Sequence, residues 1–292
     1  MTLTQGFIDK FLSSLSEKGH PKNTVRAYKS DVMMFLTWTE RTPEELNALN
    51  QEDLERLMAQ YINLHRQTWK PKTTTRKLTA LRAWGKHLGY HGVLEGYVAP
   101  TPARAQPHPI EEGVSAVRRM IQVASTAEHR ALVALCGLAG LRVSETRSVL
   151  MGDINLKDRM LYVRGKGSRD RLVPLSHAAW EALTDVFNEI LIANAPAMEQ
   201  GGFDAVKDIP LVMLSDRRAR EVITLVAKRA GVKHRVSSHD LRATFATAAY
   251  DKTKNLRAVQ DLLGHSSSKT TEVYTGISQQ RMREAVELDE ED

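Results

Sequence analysis

With 292 residues, 42% hydrophobic and 26% charged, the chain has room for two ordinary domains and no apolar run near the ~20 residues of a bilayer span, which excludes a helical membrane protein. A single cysteine, Cys136, excludes an internal disulfide, a zinc finger and an iron–sulfur site, and MTLTQGFIDKF lacks the basic-then-apolar order of a secretory signal, so a cytoplasmic protein is expected. Net charge is +6, yet six of the 35 acids fall in residues 284–292, so 41 Lys and Arg face 29 acids before them, the electrostatic footprint of a nucleic-acid partner.

Residues 1–98 carry four apolar stripes at helical spacing. Phe7, Phe11, Leu12 and Leu15 form the first; Val25, Tyr28, Val32, Phe35 and Leu36 the second, with Asn23 as its expected N-cap; Leu54, Leu57, Met58, Tyr61 and Ile62 the third; Leu78, Leu81, Trp84 and Leu88 the fourth. An all-helical bundle follows. Lys22, Arg26 and Lys29 lie on the polar face of the second helix, and Lys72, Arg76, Lys77 and Arg82 on that of the fourth, as candidate phosphate contacts. Any one of these bases is more often plain solvated surface; two basic faces in one small bundle favour a DNA-tracking surface.

Four of the ten prolines fall in APTPARAQPHPI, so residues 99–111 read as a linker. Beyond it, residues 112–283 mix the two periodicities. Helices are expected at 112–125, 127–139, 144–150, 177–193 and 216–230, with Gly140 and Gly231 as stops. Residues 153–175 alternate around KD and GKGS turns and predict a small antiparallel sheet; 194–208 is expected to be a loop. The fold class is mainly α with a small antiparallel β-sheet: a helical bundle, then an α+β domain and an acidic tail at 284–292.

The chemistry-bearing residues cluster in GLRVSE, GKGSRDR, SSHDLRATFAT and LLGHSSSKTTEVYTG. On a helix His239 and Arg242, three apart, share a face, and Arg142 and Glu145 have the same spacing at a helix start. Guanidiniums offer bidentate forks that match phosphodiester oxygens. Histidines such as His239 and His265 can donate to the same phosphate or move protons. The Tyr274 phenol, with a pKa near ~10, is a poor nucleophile unless positive charge stabilises its phenolate, and its attack on phosphorus would leave a phosphotyrosine. Lys166 can protonate a departing sugar oxygen, although Arg164, Arg169 and Arg171 crowd the same turn and read equally as surface charge. GKGS lacks the upstream glycine of a nucleotide-binding loop, and no acidic cluster suits a pair of metal ions, so no cofactor is expected. Alone, each residue has a bland structural reading; their ordered series carries the signal.

That series resembles the tyrosine recombinase family, which includes phage integrases and Xer recombinases. GLRVSE, GKGSRDR, HDLRATFAT, LLGH and TTEVYTG are similar to its motifs in order and spacing, and KNTVRAYKSDVMMFLTW is similar to its core-binding domain. The resemblance implies a core-binding domain at 1–98 and a catalytic domain at 112–283. It implies that Arg142, His239, Arg242 and His265 bind the scissile phosphate, that Glu145 orients its neighbours, that Lys166 is the general acid and that Tyr274 is the nucleophile. The implied partners are double-stranded DNA core sites, three further copies in a tetramer, and accessory DNA-bending or directionality factors, in the cytoplasm and nucleoid of a bacterial host. Starting directly on the bundle, the chain is expected to act at short core sites, with Val286 and Leu288 of the tail anchoring on a neighbouring copy or fraying in solvent. Phage integration is the favoured role, on the divergent first domain and acidic tail; Xer-like dimer resolution, a type IB topoisomerase and a non-catalytic DNA-binding protein of the same fold are the alternatives.

Overall fold

The computed structural model describes residues 2–99, 108–165, 170–264 and 286. The chain divides into two compact units, Met1–Ala105 and Gln106–Asp292.

In the first unit the helices are α1 (Thr2–Glu17), α2 (Lys22–Thr39), α3 (Pro43–Asn47), α4 (Gln51–His65) and α5 (Pro71–His87). The four stripes converge as periodicity dictates: Phe11 and Leu15, Val32 and Phe35, Leu54 and Met58, Leu78 and Trp84 are buried together, and the Phe35 ring meets Tyr61 and Trp84 edge-on at 5.3 and 5.8 Å. Two local readings are corrected. Helix α2 is capped by Pro21, whose carbonyl accepts from the Thr24 and Val25 amides, so Asn23 lies inside the first turn. The short α3 was not anticipated, although Thr42 and Glu45 build a capping box around Pro43: the Glu45 amide donates to Thr42 Oγ1 at 3.2 Å, and Glu45 Oε2 accepts from the Thr42 amide at 2.7 Å.

The second unit runs α6 (Gly113–Val123), α7 (Ala127–Gly137), α8 (Val143–Thr146), β1 (Ile154–Asn155), β2 (Met160–Val163), β3 (Arg171–Pro174), α9 (His177–Ala193), α10 (Ala195–Gly201), α11 (Asp216–Arg229), α12 (Ser238–Thr253) and α13 (Leu256–Leu263). The strands form an antiparallel sheet in the order β1-β2-β3, with Leu161 opposite Val173. Beyond its charged first turn, α7 is apolar on all sides from Ala131 to Gly137 and is the buried core helix against which α6, α9 and α12 pack. The helix expected over 144–150 is a single turn, because Leu150 leaves it to bridge Pro210. The loop expected over 194–208 instead holds α10 and a 3-10 turn, with proline in the first turn of α10 as helices favour. Val286 of the acidic tail is buried in the core cluster of its own chain; Leu288 lies outside the described residues. Among the described residues no helix is long and apolar enough to cross a membrane.

Gly140 turns the chain from α7 toward α8 at φ +67°, and a Cβ there would lie 2.4 Å from Cδ1 of Phe245 on α12. Gly140→Ala combines left-handed strain with overpacking against a buried ring, so it is expected to lower unfolding free energy by about 3 kcal/mol, as read by urea denaturation. A cost below about 1 kcal/mol would show that the Phe245 contact relaxes freely.

Candidate active site

The site begins where α7 ends. Arg142 is the N-cap of α8 in extended conformation (φ −70°, ψ 150°), and Glu145, three residues on, reaches back to it. Glu145 Oε2 accepts the Arg142 amide at 2.8 Å and Oε1 accepts Nη1 of its guanidinium at 2.7 Å. The spacing in GLRVSE is thus a helix-start device that also aims a guanidinium. The Arg142 side chain stays 41% exposed, whereas that of Glu145 is buried.

Two further arginines close on the same carboxylate. Arg242, on the second turn of α12, is presented by the Ser237–Asp240 capping box that starts this helix. Its Nη1 donates to the Gly140 carbonyl and lies 3.5 Å from Glu145 Oε2, while Nη2 donates to the Leu263 carbonyl at 2.6 Å. Arg171, the first residue of β3, is only 3% exposed at its side chain. It forks onto Glu145 (Nη2 to Oε2 3.1 Å, Nη1 to Oε1 3.4 Å) and donates Nε to the Leu262 carbonyl at 2.8 Å. The sequence leaves Arg171 open as simple surface charge; it is buried because β3 alternates, placing Arg171 and Val173 inward and Leu172 outward.

The electrostatics follow from three guanidiniums around one carboxylate, a surplus of two positive charges. Burial pushes the Glu145 pKa up, but the hydrogen bond and charge of Arg171, then the two bonds from Arg142, outweigh it and hold the carboxyl below its ordinary value. Burial, and next the Arg142 charge, push Arg242 down to about 10, which leaves it charged at neutral pH. Guanidinium forks match the paired oxygens of an oxyanion such as a phosphodiester, whose charge this surplus would balance. Cys136 behind it is fully buried, and burial raises its thiol to about 11, so it offers no thiolate.

His239 is exposed on the first turn of α12, one turn before Arg242. Lys166, His265 and Tyr274 lie outside the described residues. Gly264, the residue before His265, ends α13 at φ +63°.

In the first unit Lys22, Arg26 and Lys72 are exposed and Lys29 is half-buried. Arg76 keeps 42% of its side chain exposed while Nη1 donates to Asp31 at 2.6 Å. Two candidates are corrected. Lys77 is buried, with its ammonium on Asp31 Oδ1 at 3.0 Å and 4.7 Å above the Trp69 ring, and Arg82 donates Nη2 to the Leu94 and Tyr97 carbonyls. These two cations hold the bundle together rather than face a ligand. Sequence reasoning also passed over an open basic groove of about 870 Å³ in the second unit, lined by Arg217, Arg220 and Lys228 of α11 and by Lys233, His234 and Arg235 after it. The run Lys233-His234-Arg235 was the available signal.

Residues 114–281 match the phage integrase family, and residues 8–88 match the N-terminal SAM-like domain of phage integrases. The tyrosine recombinase XerC of Thermodesulfovibrio yellowstonii is 30% identical over 95% of this chain and 93% of its own. The tyrosine recombinase XerD of Bifidobacterium longum is 29% identical over 97% of each chain. The crystal structure of a lambda integrase tetramer bound to a Holliday junction is similar in fold, with a TM-score of 0.64 at 17% identity over 92% of this chain and 80% of that one.

Proposed function

We propose that this chain, which belongs to the phage integrase family of DNA-cleaving and rejoining tyrosine recombinases, attacks a phosphodiester of its recognition site with Tyr274 and passes the broken strand to a second duplex. The observation that carries the reading is the Glu145-centred cluster, in which Arg142 is both held by the carboxylate and open to a ligand. Arg142, His239, Arg242 and His265 bind the non-bridging oxygens and stabilise the charge that grows on them in the transition state. The Tyr274 phenol gives up its proton to solvent as the positive pocket stabilises the phenolate, its oxygen bonds to phosphorus as the bond to the 5'-oxygen breaks, leaving a 3'-phosphotyrosine, and Lys166 gives that leaving oxygen its proton. A 5'-hydroxyl from the second duplex then attacks the phosphotyrosine and returns the phenol. Each step exchanges one phosphoester for another, so bond energy is conserved and no nucleotide has to be consumed.

The exposed bases Lys22, Arg26, Lys72 and Arg76 track phosphates in the first unit, and the α11 groove does so in the second. Lys72→Ala is therefore expected to weaken binding to all duplexes alike and to reduce the slope of log K against log salt by about 1, as read by fluorescence anisotropy. An unchanged slope would remove Lys72 from the interface. A homotetramer is proposed on the likeness to the integrase tetramer, acting in the bacterial cytoplasm and nucleoid, where its DNA sites would lie.

The test of the reaction uses a nicked duplex carrying the site, selected from randomised DNA by binding. Expected is a covalent protein–DNA adduct that survives denaturant and is lost to protease; a bound duplex with no adduct would overturn the reading. Integration of mobile DNA is the favoured role, and the likeness to XerC and XerD across nearly the whole of each chain supports dimer resolution as a second one. Recombination between two sites in one circle, against recombination between a circle and a chromosomal site, separates them.

A further inference from the structure

We propose that Arg171 is a positioning residue for strand cleavage, setting the Arg142 guanidinium through Glu145 and fixing the end of α13 through the Leu262 carbonyl. The inference rests on the recombinase reading and adds to it a residue that touches no substrate. With its side chain 3% exposed and Nε, Nη1 and Nη2 all donating within the protein, Arg171 presents no free edge of its guanidinium to a phosphate. Its donors are directed instead at two other parts of the site: both terminal nitrogens at the carboxylate that holds Arg142, and Nε at the last turn of α13.

The placement in sequence gives this geometry its consequence. Arg171 opens β3 five residues after Lys166, Glu145 lies three residues after Arg142, and Leu262 lies three residues before His265. One planar fork thus ties together the chain neighbourhoods of three groups assigned to the reaction. The fit is tight: a Cβ on Gly264 would come within 3.0 Å of Arg171 Nη1, so α13 ends against the guanidinium itself. Arg242 holds the adjacent Leu263 carbonyl, and the two cations together face the negative end of the α13 dipole. A lysine could reach either the carboxylate or the carbonyl, but an ammonium has no fork with which to span both.

The test measures single-turnover adduct formation on the nicked duplex at saturating DNA, together with DNA affinity and thermal unfolding. R171Q is expected to slow cleavage about 100-fold, the scale of an ångström-sized misplacement, with DNA affinity within about threefold of the parent. R171K is expected to recover about tenfold of that loss by restoring charge at Glu145 and to stay about tenfold below the parent, because an ammonium cannot span both partners, and it carries the test if R171Q does not fold. Because Arg171 acts in part through Arg142, the R142A/R171Q pair is expected to lose far less than the product of the two single losses. Parental cleavage by either folded variant, or losses that multiply in the pair alongside an equal loss of DNA affinity, would overturn the inference and leave Arg171 a structural residue. Absence of any adduct with the parent chain would overturn the recombinase reading and this inference with it, so the two failures are told apart.

Discussion

Tyr274→Phe is expected to abolish the covalent protein–DNA adduct while leaving affinity for the site unchanged. The variant keeps the ring and removes only the oxygen that would bond to phosphorus, so cleavage falls to background, a loss of roughly 10⁶-fold or more if the acceleration is typical of enzymes. No thiolate stands ready to replace it: Cys136 is fully buried with its thiol raised to about 11. Another phenol on the same unit, Tyr250, is exposed on α12 with the Lys254 ammonium 5.9 Å from its ring centroid. Persistence of the adduct in Tyr274→Phe, followed by its loss in Tyr250→Phe, would move the nucleophile to α12. Gel mobility under denaturing conditions reads both results directly.

Much of this architecture was legible because apolar periodicity is a local property. The four stripes of the first unit and the strands within 153–175 report how each segment buries one face, and their residues do pack as that requires. The Arg142–Glu145 pair was legible for a similar reason, since a three-residue spacing at a helix start fixes which side chains can meet. What stayed hidden depended on partners distant in sequence. Lys77 reads as solvated surface until Asp31, 46 residues away, is seen to take its ammonium. Arg82 likewise reads as a free base until the chain after α5 folds back to offer two carbonyls. Arg171 is the intermediate case. Strand alternation put it on the Val173 face, an inward position for a charge, and such a charge requires a buried partner. The crowd of arginines around GKGS masked that signal, and the partner, Glu145, lies 26 residues upstream.

Glu145→Gln should expose how far the pocket depends on a single negative charge. The buried carboxylate faces Arg142 at 2.7 Å, Arg171 at 3.1 Å and Arg242 at 3.5 Å. Glutamine preserves the shape but leaves three guanidiniums without their counter-charge, and one partner of a buried ionic cluster costs about 3 to 5 kcal/mol when removed. The pH dependence identifies the cause. Glu145 has a folded pKa below its ordinary value, so its contribution is fully present above the unfolded value of about 4.5 and is lost as pH falls through the folded one. The parent should therefore lose stability on acidification through that window, and Glu145→Gln should be less stable at pH 7 and flatter below pH 4.5. Urea titrations at several pH values read both quantities. Adduct formation should fall by about 100-fold in the same variant, because Arg142 loses the carboxylate that aims it. If instead the variant loses less than about 1 kcal/mol at pH 7 and keeps the acid limb of the parent, the three cations must be neutralised by other groups, and the carboxylate would no longer be the element that organises the phosphate pocket.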